Sequence, residues 1–325
     1  MTVLVLGGAG FIGLNVCEAL LAQGRDVLVL DALPVPHAAL AAFGALPGRL
    51  AAVVGDVSET AVIARLLRPP VQHVVAGAAV TADAHREANA PDAILRVNLQ
   101  SLVPVLAAAH AAGVRRVVNL SSAAVYGRCG HGGPLQEDGP ADPVGLYGIT
   151  KLASERVGTR LGELWGLQVC NLRLSAVFGS WERATGVRDT LSPHWQLLNA
   201  AAHGQPAVLA RPGLRDWVYA ADVADAVVAV LDVPVLRHTT YNVTAPASTV
   251  LDWGQRLAAR PGFECRLAQP SEAATINLHA ATDRATLDGT RLRHELGWTA
   301  RHGLHDTPGL MDAWLLRHGP DWAEQ

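Results

Sequence analysis

Residues 2–6 (TVLVL) are an unbroken apolar run, followed by glycines and then by apolar positions at helical spacing over 11–21. That pattern predicts strand, turn and helix. Gly24 closes the helix, and 26–30 is a second buried-strand pattern ending on Asp31. Further strand patterns fall at 50–54, 73–76, 115–120 and 167–174, separated by helical stretches near 58–68, 91–112 and 146–165. Strands alternating with helices of this length predict βαβ units, hence an α/β fold on a Rossmann-type doubly wound parallel sheet. After Arg173 the rhythm loosens, with Pro, Gly and Trp frequent over 179–217; a strand–helix pattern returns at 215–231 (RDWVYAADVADAVVAVL), and a helix closes the chain around 307–318. The expected division is a nucleotide-binding domain over 1–174, re-entered by the chain near 215–245, and a smaller C-terminal substrate-binding domain within 175–325.

The first strand–helix junction, Gly7-Gly8-Ala9-Gly10-Phe11-Ile12-Gly13, carries glycines at 7, 10 and 13. This spacing serves a tight turn, backbone approach to a pyrophosphate, and close packing of helix on sheet, with the helix N-terminus turned toward the phosphates. Glycine turns after strands are common, and the context is what gives this one meaning. Asp31 ends the next strand, 18 residues past Gly13, where a carboxylate accepts hydrogen bonds from ribose hydroxyls and repels a 2′-phosphate. The expected cofactor is therefore NAD, not NADP. Asp56 and Val57, in Gly55-Asp56-Val57 after the third strand, suit the adenine edge, although Asp56 equally suits a helix cap.

Tyr147-Gly-Ile-Thr-Lys151 places a phenol and an amine at i and i+4 on one helical face. A phenol of ordinary pKa is a poor base at neutral pH and needs a nearby cation to favour the phenolate. A compact ammonium on a flexible stem suits that task, where a planar guanidinium does not. Upstream, Asn119-Leu-Ser121-Ser122 ends a buried strand, so a serine hydroxyl there lies at the carboxyl end of the sheet, where doubly wound folds bind ligands. Two serines after a strand also serve as caps.

Composition changes this picture at one point. Among the 26 basic residues Lys151 is the single lysine, so its place four residues after a tyrosine departs from the arginine habit of the chain. Otherwise 325 residues, half of them apolar, with a formal net charge of −3, describe a globular protein with no call for nucleic acid or an anionic membrane. Four scattered cysteines, Cys17, Cys129, Cys170 and Cys265, fit a reducing compartment. No uninterrupted apolar stretch reaches the roughly 18 residues of a membrane span, and the opening run lacks the basic flank of a leader. A cytoplasmic location is expected. The histidines show no HExxH spacing, and no metal is expected.

Taken together, GGAGFIG at 7–13, Asp31, GDV at 55–57, Asn98 within 96–118, SSAAVYG at 121–127, YGITK at 147–151, RDWVYAADVADAV at 215–227, YNV at 241–243 and RLRHELGW at 291–298 resemble the extended short-chain dehydrogenase/reductases, in their NAD-dependent epimerase/dehydratase group. The resemblance covers nearly the whole chain. It implies that Ser122 assists Tyr147, that Tyr147 and Lys151 are catalytic, and that Ala78, Asn98 and Val177 join the cofactor contacts. It implies substrate contacts at Ser122, Ala123, Tyr147, Ala176, Arg215 and Trp217, with Arg215 on a sugar-nucleotide diphosphate, and a homodimer paired through the helices near 91–112 and 146–165.

Family resemblance does not fix the reaction. Dehydratases of the group place an Asp-Glu pair after the catalytic hydroxyl residue, and this chain has Ala123-Ala124, which argues against elimination of water. Ala176 stands where nucleotide-sugar epimerases often carry Asn, and the loop before Arg215 is short. Arg183 and Arg188 would clamp a diphosphate or a carboxylate, or simply lie on the surface. The expected function is an NAD-dependent nucleotide-sugar 4-epimerase. The alternatives are an NAD-dependent dehydrogenase of a free sugar, sugar acid or other secondary alcohol, and a non-catalytic NAD-binding regulator.

Overall fold

The computed structural model describes residues 1–81, 83–129, 133–186, 191–257, 263–319 and 322. The apolar runs become strands β1 (Thr2–Leu6), β2 (Asp26–Asp31), β3 (Leu50–Val54), β4 (Val71–Ala76), β5 (Arg116–Ser122) and β6 (Gln168–Leu174). The short strands that follow are β7 (Ala176–Phe178), β8 (Ala207–Leu209), β9 (Leu214–Arg215), β10 (Trp217–Tyr219), β11 (Thr240–Val243), β12 (Ser248–Thr249) and β13 (Cys265–Leu267). Seven of them form one sheet in the order β11-β6-β5-β4-β1-β2-β3, and every neighbouring pair is parallel. The order reverses at β1, which has β2 on one side and β4 on the other, so the switch-point crevice opens at the carboxyl end of β1. This is the Rossmann-type doubly wound sheet that the sequence pattern predicts.

Two helical layers cover the sheet. Alternate strand residues point to opposite faces, so Val3 and Val5 pack on one side and Leu4 and Leu6 on the other. The first face carries α1 (Phe11–Ala22) and, in contact with it, α9 (Ala220–Asp232). The second carries α3 (Thr60–Leu66), α6 (Leu102–Ala111) and α7 (Leu146–Trp165). The remaining helices are α2 (His37–Phe43), α4 (Ala84–Asn89), α5 (Pro91–Leu95), α8 (Pro193–Ala202), α10 (Val250–Leu257), α11 (Thr290–Leu296) and α12 (Thr307–His318).

Three observations bear on the site. The stretch predicted as one helix over 91–112 is α5, a π-helical turn at Arg96–Gln100 and α6. By length and composition this run would cross a membrane, yet it carries Asp92 and Arg96 and packs against α7 and α3. The strand β11 pairs in parallel with β6 and forms an edge of the seven-stranded sheet. The apolar core on the α1 face also runs without a break from Val3 through Trp195 and Trp253 to Trp314 and Trp322.

Candidate active site

The glycine turn between β1 and α1 has the geometry its spacing demands. Gly7 sits at φ +78°, and a Cβ on it would come within 2.7 Å of the Ala78 nitrogen. A Cβ on Gly13 would overlap the Gly7 carbonyl, so α1 lies against the turn more closely than any side chain permits. Gly10 caps α1 with no side-chain bond, so the first-turn N–H groups have no side-chain cap. Gly7, Gly10, Phe11, Ile12 and Gly13 form one wall of a cleft of about 700 Å³. Asp31 stands behind the apex: Oδ2 accepts from the Ala9 amide and Oδ1 from the Leu33 amide, each at 2.9 Å.

Across the cleft lies the start of α7. Its N-cap, Gly145, offers no side chain, and the Leu146 amide instead donates to Glu87 Oε1 at 2.6 Å. This fixes the turn that presents Tyr147. Lys151 is 3% exposed, and its Nζ donates to the Leu120 carbonyl at 2.9 Å and lies 5.8 Å from the Tyr147 ring centre. Burial pulls the ammonium pKa down to about 8, and the Glu155 carboxylate, one turn further along α7, opposes that pull. Ser122 ends β5 and lines the cleft with Tyr147 and Lys151, while its Oγ accepts from the Ala124 amide at 3.1 Å.

A buried polar network backs this floor. Arg173 and Glu155, each 3% exposed in the side chain, pair at 2.7 Å. Glu155 also accepts from Ser121 Oγ, and Arg173 donates to the Tyr126 hydroxyl at 3.0 Å, which in turn donates to Asn242 of β11. The neighbour of Ser122, and hence the strand end of the cleft, is thereby tied to α7 and to the returning edge strand.

The other residues singled out from the sequence divide. Ala176, Val177, Arg183, Arg215 and Trp217 line the same cleft. The Arg215 guanidinium lies 5.5 Å from the Trp217 ring, and its pKa is lowered, mostly by burial and then by Arg284. Asn98 does not line the cleft: it sits behind it in the π turn, bonded to both backbone polar groups of Val80 and to Thr150. Val57, Ala78 and Asn98 border a separate cavity of about 20 Å³. The Asp56 carboxylate accepts from the amide and hydroxyl of Ser58, two residues on, whereas the N-cap of α3 is Glu59. Ala123 packs with Val125, Tyr126, Leu135 and Leu287 outside the cleft. Arg188 lies outside the described residues.

Several cleft residues were not anticipated: Thr81, Asp83, Thr185, Ser192, Asn277 and His279. They sit in loops without periodicity or a motif, and of the six only Asp83, the N-cap of α4, and Ser192, the N-cap of α8 just before Pro193, carry a readable mark. The one HxxH stretch, 302–305, has His302 Nδ1 on Asp222 at 2.8 Å, and no cluster of metal-ligating side chains occurs among the described residues.

The model of the NAD-dependent epimerase/dehydratase family matches residues 3–244. The UDP-glucose 4-epimerase of Azospirillum brasilense is 28% identical over 320 residues, 92% of this chain and 87% of that enzyme. The dTDP-glucose 4,6-dehydratase of Xanthomonas campestris pv. campestris is 26% identical over 334 residues, 97% of this chain and 93% of that enzyme. The UDP-glucose 4-epimerase of Lactobacillus helveticus is 32% identical over 180 residues, a match spanning 55% of this chain and 53% of that enzyme. Among solved structures, MoeE5 in complex with UDP-glucose and NAD superposes with a TM-score of 0.77 at 27% identity, covering 98% of this chain and 99% of MoeE5.

Proposed function

Since the chain belongs to the NAD-dependent epimerase/dehydratase family, we propose that it is an epimerase that inverts C4 of a nucleotide sugar. Its cofactor is NAD, and the cradle fits: glycines whose Cβ atoms would collide with the turn, an uncapped helix N-terminus and Asp31 behind the apex. The observation that carries the reading is the meeting of that cradle with Ser122, Tyr147 and Lys151 in one cleft. MoeE5 binds UDP-glucose in one structure and UDP-glucuronic acid in another, each with NAD, which points to a UDP-hexose or UDP-hexuronate here.

Bound NAD supplies the nicotinamide that takes up and returns a hydride. Tyr147 removes the proton of the ring hydroxyl that becomes a ketone, and Ser122 holds that hydroxyl in line. The Lys151 ammonium favours the phenolate through its field. The ketone turns within the cleft, and Tyr147 returns the proton as the opposite configuration forms. Arg215, whose guanidinium lies over the Trp217 ring in the cleft wall, takes the diphosphate. Elimination of water is not the proposed reaction, because Ala123 and Ala124 follow Ser122 and Asp83 is the one carboxylate lining the cleft among the described residues.

The test is incubation with NAD and a panel of UDP- and dTDP-sugars, following product isomers and reduced cofactor together. A 4-epimer should form with no accumulation of NADH, and Tyr147→Phe should abolish turnover while NAD stays bound. One NADH per product would instead establish the dehydrogenase alternative. We also propose a homodimer built on α6 and α7, which leave Val103, Ile149 and Leu164 exposed. Sedimentation equilibrium decides it.

A further inference from the structure

We propose that Arg183 is a cofactor clamp, holding the pyrophosphate of NAD against the glycine turn and not the diphosphate or carboxylate of a substrate. The proposal rests on the reading of the cleft as an NAD site. Arg183 is 7% exposed and lines the cleft with Gly7, Gly10 and Gly13. Its Nη2 donates to the Ala9 carbonyl at 3.2 Å, while the Ala9 amide donates to Asp31 at 2.9 Å, so a cation and an anion grip the apex of the turn from its two polar ends. The Nε of the same guanidinium is enclosed and has no hydrogen-bond partner among the described residues. A buried cation with an idle donor lacks an acceptor, and the wall it faces is the one built to receive phosphate oxygens.

The segment that carries Arg183 is fixed on both sides. Trp181, at φ +66° and 1% exposed, donates from Nε1 to Glu18 of α1 at 2.7 Å and packs on Phe43, Trp314 and Trp322. Asn15 of α1 donates to the Ser180 carbonyl at 2.8 Å. Glu182, wholly buried, accepts from the amide and hydroxyl of Ser192 at 2.8 and 2.7 Å. An arginine mounted this way is not a solvated surface cation. Arg215 has different surroundings, with Arg284, Asp216, Asp283 and Arg211 as its charged neighbours, whereas Arg183 has Asp31. The two guanidiniums therefore serve two different anions.

The experiment compares the full-length wild type with Arg183→Gln and Arg183→Lys. Exchange of bound NAD against labelled NAD reads the clamp, and calorimetric titration of the holoenzyme with UDP reads the substrate side. Loss of a charge-assisted contact should speed NAD exchange about 10- to 100-fold in R183Q. R183K should fall between, and UDP affinity should stay within about twofold. Unchanged NAD exchange, or a loss of UDP affinity equal to or larger than the effect on NAD, overturns the proposal. Should R183Q fail to fold, R183K decides alone: wild-type NAD exchange in it overturns the clamp, because an ammonium cannot reproduce a guanidinium's fork. If the wild type binds no UDP and epimerises no nucleotide sugar, the functional reading falls, and NAD exchange still decides Arg183.

Discussion

At Lys151 burial and charge pull in opposite directions, and burial prevails, bringing the pKa down to about 8. The side chain is an ammonium below that value and loses its charge as pH rises through it. Turnover that depends on the cation should therefore fall above pH about 8 along a one-proton limb; a kcat/KM profile still level at pH 10 would count against the role assigned to it. Unfolding does not explain such a limb. With the folded pKa below the ordinary lysine value of 10.5, the unfolded chain binds more protons between pH 8 and 10.5, so this group favours the folded state increasingly across that window. Thermal melts over the same range separate the two effects. Residues of this kind were legible because their type broke a pattern: one lysine in an arginine chain, one aspartate closing a strand. Thr81, Asn277 and His279 were not, since a loop residue acquires its meaning only when distant segments are brought to one cleft.

Among the elements, the β1–α1 junction is the least tolerant. Gly13→Ala would place a Cβ on the Gly7 carbonyl and within 2.7 Å of the Gly8 Cα. The helix would have to lift from the turn, with loss of NAD binding and roughly 1–3 kcal/mol of stability, both measurable by NAD titration and denaturant melts. Gly309→Ala, with nothing within 4 Å inside α12, is the control and should be neutral or slightly stabilising. The regular elements were largely readable: β3 and α7 fall where the hydropathy places them, and β5 starts one residue later than its pattern and continues through Ser121 and Ser122. That extension is set by pairing with β6 up to Leu174, which a single strand's pattern cannot contain. The π turn at Arg96–Gln100 escaped for a similar reason, because one extra residue in a helix leaves the apolar spacing almost unchanged.

For the molecule as a whole, the Arg173–Glu155 pair does more than any surface bridge, since it joins β6 to α7 and, through Tyr126, reaches β11. Removing one partner leaves an uncompensated buried charge, so Glu155→Gln should cost about 3–5 kcal/mol. Combining it with Arg173→Met should cost less than the sum of the two single changes, which a double-mutant cycle in urea would measure. A double variant as unstable as that sum would mean the pair is not coupled. One unbroken apolar core joins residues from Val3 to Trp322, on both sides of residue 174. The solitary lysine has a last consequence, for chemistry done on the protein. Apart from a terminal α-amine, Lys151 is the only amine available to acylation or reductive methylation, and it is buried in the cleft. Isotope-labelled methyl groups placed on it would give the single side-chain resonance of the labelled protein, a resident probe of cleft occupancy that needs no engineered label.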